Sequence, residues 1–333
     1  MHLELNEQFH VLETAFLNIS GSADFVMNLF VIYLILNRSS NLQTFRFYLF
    51  YFQFTSLIAD IFLAFLMKPV PLFPVIGGYT VGILYSFFGI SSHIQMCLLL
   101  CLMGTQQVAI FCAFLRKHQT IVTFNKRHQL SEAHYWIVII AAHIFIILVS
   151  ALFSMASITN DQQNQYIKKH LPELQQALSS YRSLEIYDRE VNPLIIYSLG
   201  IWLIVIIFLF LTISFLSLEI ILTMKKHKFS NSNLKMRKHQ AIFRSVCAQF
   251  AVLTFCFLPP LAVIFFLIFE VPHTEGKIRK GKSIIILSSD FSVASAAMLC
   301  TFSLHSFLGC LVFVVTYAPY RKIVANFFIA ETI

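Results

Sequence analysis

Seven apolar stretches govern what this chain can fold into: Glu13–Leu36, Phe47–Met67, Phe88–Leu115, Tyr135–Ile158, Pro193–Met224, Gln240–Phe269 and Ile284–Ala318. As a helix rising about 1.5 Å per residue, each is long enough to cross a hydrocarbon core about 30 Å thick. Lipid offers the backbone no hydrogen bonds, so continuous apolar runs cross as helices, whereas barrel strands would alternate in polarity. Charged residues make up 12% of the chain, too few to coat a water-soluble surface. The expected fold is an all-α membrane protein. It is one seven-transmembrane helix bundle spanning residues 1–333, with a long loop at 159–192.

Lysine and arginine set the orientation. One side would carry Arg38 and Arg46, then Arg116, Lys117, Lys126 and Arg127, then the block Lys225, Lys226, Lys228, Lys235, Arg237 and Lys238, then Arg321 and Lys322. The other would hold Glu4, Glu7 and Glu13, the uncharged segment Pro69–Tyr85 and the loop 159–192. This predicts the N-terminus outside and the C-terminus inside, against one dissenting run of Lys277, Arg279, Lys280 and Lys282. The net charge of +8 then marks topology in a lipid bilayer and gives no reason to expect a nucleic-acid partner. Met1–Asn18 lacks a basic leader, so no cleavable signal peptide is expected there. Asn18-Ile19-Ser20 fits a glycosylation acceptor but abuts the first span.

All seven cysteines fall inside the spans, where they read as small buried hydrophobes, and none has metal-ligand spacing. GxSxG, HExxH and Walker patterns are missing. Neither an enzyme nor a cofactor is expected. The loop 159–192 reads as partly helical, because Tyr166, Ile167, His170, Leu171, Leu174 and Leu178 recur at three- and four-residue spacing.

The sixth span holds two consecutive prolines, Pro259 and Pro260, beyond a basic segment that contains no acid. A proline-broken helix survives in lipid only where neighbours re-satisfy the freed carbonyls, so it must pack in a bundle and bend. Such a helix suits a movable element presented to a cytosolic partner, although any multispan protein with a kinked helix would share the pattern.

Ionisable groups inside spans are costly and therefore informative: Asp24, Asp60, His93, His143, Glu219, Asp290 and His305. Counting from the basic ends, Asn28, Asp60 and His305 all lie roughly 15–21 Å deep. They are expected to form one buried network, in which protonated His305 or a cation would partner an ionised Asp60. Small-molecule contacts are expected from His93 and Gln95, Tyr197, Phe257, Ser289 and Asp290, on the outer halves of the third, fifth, sixth and seventh spans.

Several local patterns together resemble nematode serpentine chemoreceptors of the Str superfamily, most closely class I (Sri), with class H (Srh) next. They are Phe45-Arg46-Phe47-Tyr48-Leu49 leading to Phe52-Gln53 and Asp60, and Pro69-Val70-Pro71-Leu72-Phe73-Pro74 followed by Gly77-Gly78-Tyr79. Arg116-Lys117-His118-Gln119 follows the third span, Ala248-Gln249-Phe250 precedes Pro259-Pro260, and His305 precedes Pro319-Tyr320-Arg321. Ser306 departs from the glycine that the pattern favours after the histidine. The resemblance implies a G-protein-coupled receptor for a small environmental chemical, odorant or water-soluble, in the plasma membrane of a sensory neuron, at its cilium. Arg116, Lys117, Arg237, Lys238 and Arg321 would then face a heterotrimeric G protein. Rhodopsin-type Asp-Arg-Tyr and Asn-Pro-x-x-Tyr signals are missing. Rival readings are a receptor for an endogenous peptide or small signal, and a channel or transporter.

Overall fold

The structure, a computed structural model, describes residues 2–39, 42–72, 75–122, 129–170, 172, 175, 181, 183–228, 234–269 and 298–330. In chain order the elements are α1 (His2–Arg38), α2 (Phe45–Ile61) widening into a π-helical turn (Phe62–Met67), β1 (Pro69–Pro71), β2 (Gly77–Thr80), α3 (Ile83–Phe88) and α4 (Ser92–Val122). Then come α5 (Glu132–Ser154), α6 (Asn160–His170), β3 (Glu185–Ile186), α7 (Leu194–Lys228), α8 (Leu234–Phe269), α9 (His305–Thr316) and α10 (Ala318–Ala330). Among the described residues, seven helices are long and apolar enough to cross a membrane, the seventh running Met298–Thr316. This is a multi-pass helical membrane protein.

The bundle is built around α4. Two-thirds of its most apolar window, 67%, is buried inside the protein, against 28% for α5. α5 instead exposes Trp136, Ile137, Ile140, Ile144, Ile147 and Leu148, an apolar face that only lipid can cover favourably. Close approach to α4 rests on Gly104. A Cβ there would come within 2.6 Å of both Ile146 and Trp202. Overpacking of this kind costs about 1–3 kcal/mol. Gly104→Val is therefore expected to lower the thermal unfolding midpoint of the detergent-solubilised protein. Gly200→Ala, whose added methyl meets nothing within 4 Å, should leave that midpoint level or raise it.

The end carrying the N-terminus holds a feature that hydropathy does not report. β1 and β2 form an antiparallel hairpin pairing Pro69 with Thr80 and Val70 with Tyr79, and β3 joins through Gly77–Ile186 and Gly78–Glu185. Gly77 and Gly78 are required by close packing: a Cβ on Gly77 would lie 2.4 Å from the Glu185 carbonyl oxygen, and one on Gly78 2.5 Å from that of Val70. The expected open loop at 69–85 is thus a hairpin plus the short α3. The chain enters α4 at Ser92 rather than Phe88, because Gly89 ends α3 at φ 64°.

The expected helix in the long loop is α6, whose Ile167 packs on Ile186 with Tyr166 beside it. Leu171, Leu174 and Leu178 lie outside the described residues, as does Ile284 at the expected start of the last span. That span ends earlier than Ala318. Tyr317 turns extended (φ −89°, ψ 101°), so the chain restarts as α10 with Pro319 in its first turn. Ser20 is buried and donates to Ser303 at 3.3 Å, so the Asn18-Ile19-Ser20 acceptor sits in a helix packed against the bundle.

Candidate functional site

Beneath the sheet lies a cavity of about 270 Å³. Its floor and walls are apolar side chains from six elements. Leu63 and Met67 come from the end of the second span, Met96, Leu100 and Met103 from α4, and Phe153 from α5. Leu199 comes from α7, Pro260, Val263 and Ile264 from α8, and Met298, Leu299 and Phe302 from the seventh span. Val70, Tyr79, Thr80, Glu185 and Tyr187 close the sheet end.

Polar side chains stitch this roof to α4. Thr80 Oγ1 lies 2.9 Å from Ser92 Oγ, Ser183 Oγ donates to the Thr80 carbonyl at 2.9 Å, and Ser92 Oγ donates to the Ser183 carbonyl. Gln95, fully buried, donates to Thr80 Oγ1 at 3.2 Å and to the Ile90 carbonyl at 2.7 Å. Burial raises the Glu185 carboxyl to about 7, against the lowering effect of a hydrogen bond with Gln163, and holds the Tyr187 phenol well above its ordinary value.

The expected contact residues divide sharply. His93 stands behind the cavity wall: Nε2 donates to the Ser154 carbonyl at 3.0 Å, which leaves Nδ1 to accept from the Tyr187 hydroxyl at 2.9 Å. Gln95 braces the roof and does not line the cavity. Tyr197 is 62% exposed on the outer face of α7. That corrects its expected role, because at about 100° per residue it points away from Ile195 and Leu199, which do line the space. Phe257 is buried edge-on to Phe302, with centroids 5.0 Å apart, and lines a separate groove of about 180 Å³ with Gln107, Phe210 and Phe250. Ser289 and Asp290 lie outside the described residues.

Deeper in the bundle, Asn28, Asp60 and His305 converge with partners that depth counting missed. Asn28 Nδ2 lies 2.9 Å from Asp60 Oδ2, 2.9 Å from Ser306 Oγ and 2.9 Å from the Asp24 carbonyl. Gln53 donates to Asn28 Oδ1 and to Cys310 Sγ. His305 Nδ1 donates to the Phe302 carbonyl at 2.8 Å, so Nε2 accepts from Gln106, 2.9 Å away, which also donates to Ser56 at 2.8 Å. His305 therefore meets the cluster through its chain neighbour Ser306 rather than by a direct bond to Asp60, while Gln106 ties it separately to Ser56 of α2. Ser306, the departure from the expected glycine, supplies a hydroxyl to that junction. Phe302 stacks on His305 at 5.0 Å and 15°, so one ring touches both cavity and network.

At the opposite, basic end, Lys117 is buried with its Nζ 5.0 Å from the Phe45 ring centre. This corrects its expected exposure: its place on α4 turns it into the α2 interface. Arg116 pairs with Glu132 at 3.5 Å and Arg321 is exposed on α10. Arg237 and Lys238 sit in the first turns of α8. His118 Nε2 contacts Glu219 Oε2 at 2.6 Å, tying α4 to α7, and Ser245 contacts Thr316 Oγ1 at 2.7 Å, tying α8 to α9.

A family model described as the serpentine type 7TM GPCR chemoreceptor Sri matches residues 9–324. No curated protein matches the chain.

Proposed function

The chain belongs to the Sri family of serpentine seven-transmembrane chemoreceptors, and from that premise we propose that it binds a small molecule beneath the sheet and signals through a heterotrimeric G protein. In this reading the sheet end and the N-terminus face outside, and the basic end faces the cytoplasm. The receptor acts at the plasma membrane of a sensory cell, at its cilium. One observation carries the proposal, namely the continuity from the cavity through Phe302 to His305, whose neighbour Ser306 bonds Asn28 and whose partner Gln106 bonds Ser56 of α2. A ligand that displaces Phe302 must move the ring stacked on it, and with it the amide that bridges to α2. Arg116, Arg237, Lys238 and Arg321 would meet the G protein, while Lys117 anchors α4 to α2.

A peptide fits poorly, because about 270 Å³ beneath a roof of three strands lies below the roughly 300–1,000 Å³ of ordinary ligand pockets. Leu100→Trp, placing an indole in the cavity, tests the reading. Cells expressing the receptor would first be screened with volatile and water-soluble chemicals. The variant is then expected to lose the response at unchanged surface level, by more than about tenfold in potency, or about 1.4 kcal/mol. An unchanged dose–response curve would mean that the ligand binds elsewhere.

A further inference from the structure

We propose that the cavity is built for a small lipophilic amine, whose ammonium group sits at the Glu185 carboxylate while its hydrocarbon part lies among Met96, Leu100, Val263 and Phe302. The inference rests on the reading of this cavity as the ligand site and specifies its chemistry. Glu185 is the one ionisable carboxyl or amine among the described residues that line the space. It has no cationic partner among them either; the ion pairs there join Arg116 to Glu132, His118 to Glu219 and Lys169 to Glu190. It accepts a hydrogen bond from the neutral Gln163 of α6. A part-buried carboxylate usually has a counter-charge or several donors. Among the described residues, Gln163 is the one side-chain donor to this carboxyl.

The groups around Glu185 favour a cation. Tyr187, beside it at the same strand end, is held in its neutral form by burial. β2 brings only the backbone of Gly78 opposite. Tyr187 lines the same end of the cavity, and an aromatic face attracts an ammonium group electrostatically. A carboxylic acid would meet a like charge in the same low-dielectric space, which disfavours it.

The pH dependence has a definite sign. An alkylamine stays protonated throughout the neutral range, whereas the empty site holds its carboxyl near 7. Below that value the site must release a proton before it can receive the ammonium. Amine affinity is therefore expected to fall as pH drops from about 8 to about 6, by about tenfold for each pH unit once below 7.

The test uses the full-length receptor in lipid nanodiscs and calorimetric titration. The probes are hexylamine, 1-hexanol and hexanoate, with benzylamine, benzyl alcohol and benzoate as a second set. At about pH 8 each amine is expected to bind more tightly than its alcohol, and each acid to bind most weakly. Glu185→Gln keeps the shape and the strand. It should reduce the amine-to-alcohol affinity ratio by about tenfold to a hundredfold, the range of a charge-assisted hydrogen bond, and should flatten the pH dependence. Failure of both amines to bind, or an unchanged ratio in Glu185→Gln, overturns the proposal. If alcohols bind without amine preference and Leu100→Trp blocks them, the amine is wrong and the cavity stands. If Leu100→Trp leaves all binding intact, the cavity reading fails with it.

Discussion

Asn28→Ala is expected to be the most damaging single change within the bundle. Asn28 is fully buried and satisfies Asp60, Ser306 and Gln53 at once. Removing its amide takes one partner each from a carboxyl oxygen, a hydroxyl and an amide N–H in a fully buried place. Each stranded polar group costs about 1–3 kcal/mol in a protein interior, although hydrogen bonds inside membranes average below 1 kcal/mol when measured by double-mutant cycles. A loss of about 2–4 kcal/mol in total follows, with a marked fall in thermal unfolding midpoint and in surface level. Asn28→Asp is expected to do no better, since it adds a further acid where Asp24 and Asp60 already lie close together and removes the donor. A normal midpoint for Asn28→Ala would mean that the network contributes no stability and that its members are independently satisfied.

The second large effect concerns α8. Pro259 and Pro260 lie within the continuous helix Leu234–Phe269, and their missing N–H groups leave the carbonyls of Phe255 and Cys256 without helical partners. Pro260 also touches the cavity, while Ser245, one of the helix's ties to α9, lies about 22 Å further toward the basic end. The prolines therefore separate a ligand-facing half from a half that is clasped to the seventh span. Replacing both with alanine restores the two bonds and couples the halves rigidly. The expected result is a receptor that reaches the surface normally but responds at least about tenfold less per molecule, equivalent to about 1.4 kcal/mol held against the active state. Poor surface delivery instead would show that the prolines serve packing. Normal delivery with a normal response would deny them either role.

The seven spans were legible in the sequence because crossing lipid demands long apolar helices, and length and hydropathy are properties of a stretch by itself. Counting residues from the basic ends also places Asn28, Asp60 and His305 at one level, and the fold brings Asn28 against Asp60 and against Ser306 beside His305. Direction around each helix was not legible. Tyr197 and Ile195 lie two residues apart on α7, yet one is exposed and the other lines the cavity, and Lys117 turns inward beside an exposed Thr120. In spans apolar on every face, no polar stripe marks which side meets protein. The roof was equally hidden. Three strands of two to four residues carry no readable period, and β2 finds β3 more than a hundred residues away. Glu185 thus read as one charge in a mixed loop, and only that long-range pairing carries it over the cavity. A single chain's sequence records which stretches can cross the membrane. Which way a residue faces depends on neighbours that only the folded bundle brings into contact.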